Sequence, residues 1–238
     1  MKRYLLPLLV LASAAMPVHA DDTDKAPPVV KVSSVRDPEL KSYRTMLKSY
    51  SVVEEFKALA PNADFRFLLL PPPGTPAKDL SLRIANADDS VPVPVAKDNS
   101  FALPRLPAFE TTDAELLLNV KKGGARWRPQ VTTPGLPPDT RRLGDLRLEC
   151  EIRWVVERDE LSFARRTLFR TLGGPCGSKN VSTHFITQRP LASATLIDGE
   201  RRVALAVANG GYTFVPPLHD KTLGNDALVQ LVYKDATQ

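Results

Sequence analysis

The chain has 238 residues, 43% hydrophobic and 25% charged, a length that allows one large domain or two small ones. Its 32 Lys and Arg against 27 Asp and Glu give a formal charge of +5, too mild an excess to argue for nucleic acid. Two cysteines and three histidines leave little material for a metal site.

Lys2 and Arg3 form a basic start, Leu5 to Ala15 a short apolar run, and Val18-His19-Ala20 a cleavage-type ending. This predicts a cleaved secretory signal peptide over residues 1–20, since the run is well short of the roughly 20 residues a spanning helix needs. No cysteine follows the run, which argues against a lipid anchor. The expected location is the periplasm, with secretion as the alternative. No later stretch reads as a transmembrane span. Residues 21–36, polar and carrying Pro27-Pro28, read as a flexible lead-in.

Residues 37–61 read as an amphipathic helix. Asp37 is placed to cap it, Pro38 suits its first turn, and Leu40, Tyr43, Leu47, Tyr50, Val53, Phe56 and Leu59 recur at helical steps. From Phe65 the period changes to two. Strand-like runs at 80–85, 91–96, 100–103 and 115–121 make residues 62–142 a first β-domain. Val91-Pro92-Val93-Pro94-Val95 must lie at a sheet edge, because proline cannot donate to a ladder.

Residues 143–180 read as a strand-helix connector. Leu146, Leu148, Cys150, Ile152 and Trp154 alternate with Arg147, Glu149, Glu151 and Arg153, as in a half-buried strand. A helix follows, with Asp159 as its cap and Leu161, Leu168, Phe169 and Leu172 as its buried stripe, and Gly173-Gly174 stops it. In an oxidising compartment Cys150 and Cys176 are expected to form a disulfide between the two elements.

Residues 181–238 read as a second β-domain that repeats part of the first. Residues 80–96 align with 192–208 at an offset of 112, matching Ser81 to Ser193, Val91 to Val203, Val95 to Val207 and Ala96 to Ala208. One residue inserted in the next turn makes the offset 113 and matches Phe101 to Phe214, Pro104 to Pro217, Asp113-Ala114 to Asp226-Ala227, Leu118 to Leu231 and Lys121 to Lys234. The fold class predicted is mainly β: two related small antiparallel β-sandwich units, an N-terminal amphipathic helix and the connecting unit. The hairpin at 199–214, GERRVALAVANGGYTF, resembles those of prealbumin-like and carboxypeptidase-regulatory-like β-domains. That resemblance covers one hairpin and implies an Ig/prealbumin-like fold alone.

Chemistry is sparse. There is no HExxH or CxxC spacing, no GxSxG or SxxK nucleophile and no phosphate-cradling glycine loop, so no catalytic residue, metal ligand or cofactor is assigned. His184 falls in a strand-like run and His219 in a loop beside Asp220. Glu149 and Glu151, on one face of a strand, would stand about 6.5–7 Å apart. Arg147 and Arg153 flank them, which points to a solvated, ion-paired face rather than a glycosidase pair. Residues 126–170 hold ten Arg and no Lys. Within that stretch Arg126, Trp127 and Arg128 form a candidate patch for an anionic envelope polymer or a partner's acidic surface. The leading expectation is a non-catalytic exported binding or protein-interaction module of the cell envelope. A glycan- or cell-wall-acting enzyme and a structural subunit of an envelope assembly are the alternatives.

Overall fold

A computed structural model describes residues 35–75 and 79–235. The expected signal peptide and most of the lead-in lie outside the described residues. Strand at 33% against helix at 25% makes the fold mainly β, with several antiparallel sheets, none closed. No helix among the described residues is long and apolar enough to cross a membrane.

The elements in chain order begin with strand β1 (Pro38–Ser42), helix α1 (Tyr43–Glu55), β2 (Asp64–Leu70), β3 (Leu82–Ala85), β4 (Ser90–Val93), β5 (Ser100–Phe101), short helix α2 (Pro107–Glu110), β6 (Glu115–Lys121) and β7 (Arg126–Thr132). There follow β8 (Thr140–Arg142), α3 (Leu143–Glu157), α4 (Phe163–Thr171), β9 (Phe185–Ile186), β10 (Leu191–Asp198), β11 (Arg201–Ala204), β12 (Ala206–Ala208), β13 (Thr213–Val215) and β14 (Leu228–Tyr233).

Two four-stranded sheets have matching orders, β1-β6-β3-β4 and β8-β14-β10-β11. Their registers match too. Leu82 faces Leu118 and Ile84 faces Leu116, as Ala194 faces Leu231 and Leu196 faces Val229. Ile84 faces Val91 as Leu196 faces Val203. Ser42 faces Glu115 as Arg142 faces Leu228. Each helix then enters the same way: Tyr43 N–H donates to Ala114 O (3.0 Å) and Leu143 N–H to Ala227 O (2.8 Å). A second small sheet follows in each half, β5-β2-β7 and β12-β13-β9. The Phe67 and Phe101 rings stack at 5.6 Å in the first, and those of Phe185 and Phe214 meet at 5.7 Å in the second. As expected of Pro92, β4 is an edge strand.

Several expectations are corrected. The helix begins at Tyr43, because residues 38–42 pair with β6 instead. Asp37 takes a left-handed φ of 56° and caps nothing; the Ser42 hydroxyl accepts from Thr45 N–H at 3.3 Å. Residues 143–157 are a helix rather than a strand. The alternation arises because α3 is apolar on two opposite sides. Leu143, Leu146 and Cys150 pack into the second half's core, and Leu148, Ile152 and Val156 into the first's. The connector is therefore a pair of helices. Ser162, and not Asp159, caps α4, and of the stripe expected to be buried Leu168 is exposed while Leu161, Phe169 and Leu172 are half-buried; α4 fully buries no residue. Gly173 and Gly174, at φ 81° and 85°, do end it, with Gly174 N–H donating to Phe169 O at 2.8 Å.

Candidate functional site

The matching halves make a useful internal control. Residues 56–63 connect α1 to β2, but residues 158–184 connect α3 to β9. The longer connection carries α4. It is clipped back onto α3 by the Cys150–Cys176 disulfide, whose Cα atoms lie 5.7 Å apart. Both cysteines are buried.

Between α3 and this insertion lies a cleft of about 270 Å³. Its apolar walls are Trp154, Leu161, Phe169, Pro175 and Val181, and its polar rim includes Arg153, Glu157 and His184. Trp154 and Phe169 meet edge to face at 5.6 Å, which fixes α4 against α3. Arg153 donates to Glu157 (3.0 Å) and to the His184 carbonyl (3.2 Å), tying the rim to the 181–184 segment. Arg128 reaches Glu157 from the other side, so that carboxylate sits between two guanidinium groups. Burial pushes the Arg128 guanidinium down to about 10, with Arg153 and Arg126 adding to the effect and Glu157 opposing it. It remains a cation at neutral pH.

The Arg126-Trp127-Arg128 stretch does not form the exposed stacking surface expected of it. On β7 the side chains alternate, and Trp127 turns into the core at 3% exposure. Its indole N–H donates to Glu39 at 3.0 Å, and its edge meets Phe101 at 6.0 Å. Arg128 is spent on Glu157 and its neighbour's carbonyl, which leaves Arg126 alone on the surface.

The charged residues of α3 are largely structural. Asp145 accepts from Thr133 N–H (2.9 Å) and hydroxyl (2.7 Å), and Glu149 from Val131 N–H (2.7 Å). Arg141 bonds both Glu149 and the Val131 carbonyl. Together they cap the outer edge of β7, whose free N–H and C=O groups would otherwise invite another strand. Arg147 donates to the carbonyls of Leu218, Asp220 and Leu223 and to the Asn225 side chain, at 2.6–3.2 Å, and so shapes the 218–225 loop.

Glu149 is buried, not solvated, and as helical neighbours two apart Glu149 and Glu151 do not share a face. Burial raises both carboxyls. Arg141 and the Val131 N–H oppose the rise at Glu149, and Lys221 opposes it at Glu151. His184 stands exposed with Nδ1 3.5 Å from the Thr213 hydroxyl, and His219 is exposed in its loop. No group of three metal-type ligands occurs among the described residues.

What the strand-and-helix reading missed is the surface of α4. Phe163 is 78% exposed and Leu168 56%. The sequence carried no local signal for it: the repeat alignment begins at residues 80 and 192, and the difference between the 56–63 and 158–184 connections appears only once the elements are placed. Neither a scan of family models nor searches of curated proteins and of solved structures find a match to this chain.

Proposed function

We propose that this protein is a non-catalytic, exported protein-interaction module of the cell envelope, with the disulfide-clipped α4 segment as its contact element. The carrying observation is that α4 buries none of its own residues and leaves Phe163 and Leu168 in solvent. Large apolar side chains held out by a covalent clip cost solubility and contribute nothing to the core, which is the economy of a binding surface. The basic start and short apolar run of residues 1–20, together with the cystine, support export. Each half is read as a small Ig/prealbumin-like sandwich, a rigid support for a presented segment.

Photo-crosslinking in the producing cell tests this. A benzophenone side chain at 163 or 168 should trap one discrete protein, and the same group at exposed Ala204 on β11 should not. Equal labelling at all three positions, or none at 163 and 168, sinks the reading.

A further inference from the structure

We infer that the partner presents an acidic, extended or helical peptide segment, which lies along α4 and sets one aliphatic or aromatic side chain into the cleft beside Trp154. This rests on the interaction-module reading and adds the partner's chemistry to it.

Charge is the first argument. Residues 161–184 carry Arg165, Arg166, Arg170 and Lys179 and no acidic residue, so this insertion holds four positive charges and no negative one. The acidic residues that border it are already paired. Glu157 is held by Arg128 and Arg153, Asp159 by Lys48 and Arg166, and Glu160 by Lys41. Arg165 and Arg170 are exposed and enter no salt bridge among the described residues. A surface with its acids neutralised and its arginines left over is complementary to carboxylates, and the guanidinium fork binds them in pairs.

Shape is the second argument. Phe163 and Leu168 are five positions apart, which places them roughly 140° apart around a helix of 3.6 residues per turn. They do not form one plane, as a helix lying on a bilayer requires. A peptide running along α4 can touch both. Each apolar residue also has an arginine on its own side of the helix: Arg170 two turns after Phe163, and Arg165 three residues before Leu168. The cleft of about 270 Å³ is walled on the α4 side by Leu161 and by Phe169, the residue after Leu168, and its apolar walls suit one inserted side chain.

The test uses the full chain after signal removal and four probes. One is an acetylated twelve-residue peptide of alternating Asp and Glu with a central Leu-Phe pair. The second carries Lys at every acidic position, and the third replaces Leu-Phe by Ser-Ser. The fourth is a phosphatidylglycerol vesicle. None contains tryptophan, so fluorescence reports Trp154 at the cleft and Trp127 in the core.

The acidic Leu-Phe peptide should shift the emission, bind at least tenfold more tightly than the Ser-Ser peptide, and lose at least tenfold in affinity with R165E/R170E. The Lys peptide should not bind. Phe163→Ser with Leu168→Ser should also weaken binding, with an unchanged melting temperature showing that the fold is intact. No binding of the acidic peptide, or equal binding by R165E/R170E, overturns the proposal. So does vesicle co-sedimentation that depends on Phe163 and Leu168, which would assign the surface to membrane. Self-association reversed by the same substitutions would assign it to a second copy. If crosslinks at 163 and 168 trap a protein while every peptide fails, the acidic chemistry falls and the interaction reading stands; if both fail, both fall.

Discussion

Gly144 stands where β8 passes into α3. Its N–H donates to Asn225 O at 2.9 Å, and a Cβ built there would come within 2.1 Å of the Leu59 carbonyl oxygen. That same carbonyl accepts from Arg142 at 2.6 Å, so it is not free to move. Alanine is the better helix former by about 1 kcal/mol, and propensity alone predicts that Gly144→Ala stabilises. Close packing predicts the opposite sign, a loss of about 1–3 kcal/mol, which urea unfolding decides. Glu149 makes a second residue-scale prediction. Burial raises its carboxyl above the ordinary value, outweighing Arg141 and the Val131 N–H. A group whose folded pKa is raised contributes stability that is fully present below its unfolded value of about 4.3 and is lost as pH rises through the folded value. Denaturant unfolding at a series of pH values should therefore show stability falling upward from about pH 4.3, and Glu149→Gln should flatten that slope. Parallel curves for the two proteins would remove Glu149 as the cause. Neither residue announces its role locally, because the Leu59 carbonyl and Arg141 come from other elements.

At the scale of elements, legibility followed solvent exposure. The alternation over 115–121 marks β6 at its bounds, since one of its faces is buried and the other is not. The edge position of β4 followed from Pro92, whose missing N–H is a local fact. Helix α3 looks like a strand in sequence because it is enclosed: both cores claim apolar residues from it, and two helical stripes interleaved give alternation. The α4 segment shows the converse. Of the stripe read as buried, Leu161, Phe169 and Leu172 are only half-covered, and Leu168, like Phe163, is left in water. Without much burial of its own, α4 depends on Trp154 packing and on the cystine. Closing a loop of 26 residues stabilises by roughly 3–4 kcal/mol in the chain-entropy account. Reduction, or Cys150→Ser with Cys176→Ser, should lower the melting temperature. Amide exchange should quicken across residues 161–184 before it does in β10 and β14. Unchanged exchange in 161–184 would mean that packing alone holds the segment.

For the whole molecule, the two halves share strand order and register but not independence. The described residues cluster as one unit, and α3 supplies side chains to both cores. Removing either core's share of α3 exposes the other's, so the halves should unfold together. The two tryptophans report separately: Trp127 belongs to the first core and Trp154 packs against the second. In Trp127→Phe and in Trp154→Phe, the fluorescence midpoint in urea should coincide with that variant's own far-UV circular dichroism midpoint. A split in either variant would show that one half melts first.

The sequence by itself determined the features that depend on neighbours along the chain or on composition. These are the β-rich character, the short alternating strands, the glycine stop after α4, the pairing of the only two cysteines, and the offsets of 112 and 113 at which the strand registers coincide. Only the tertiary structure decided that residues 143–157 coil into a helix between two cores, that Trp127 turns inward, and that Phe163 and Leu168 stay outside. The physical reason is common to all three. Whether an apolar side chain is buried depends on which distant surface arrives to cover it, and a local pattern specifies the stripe but not the partner.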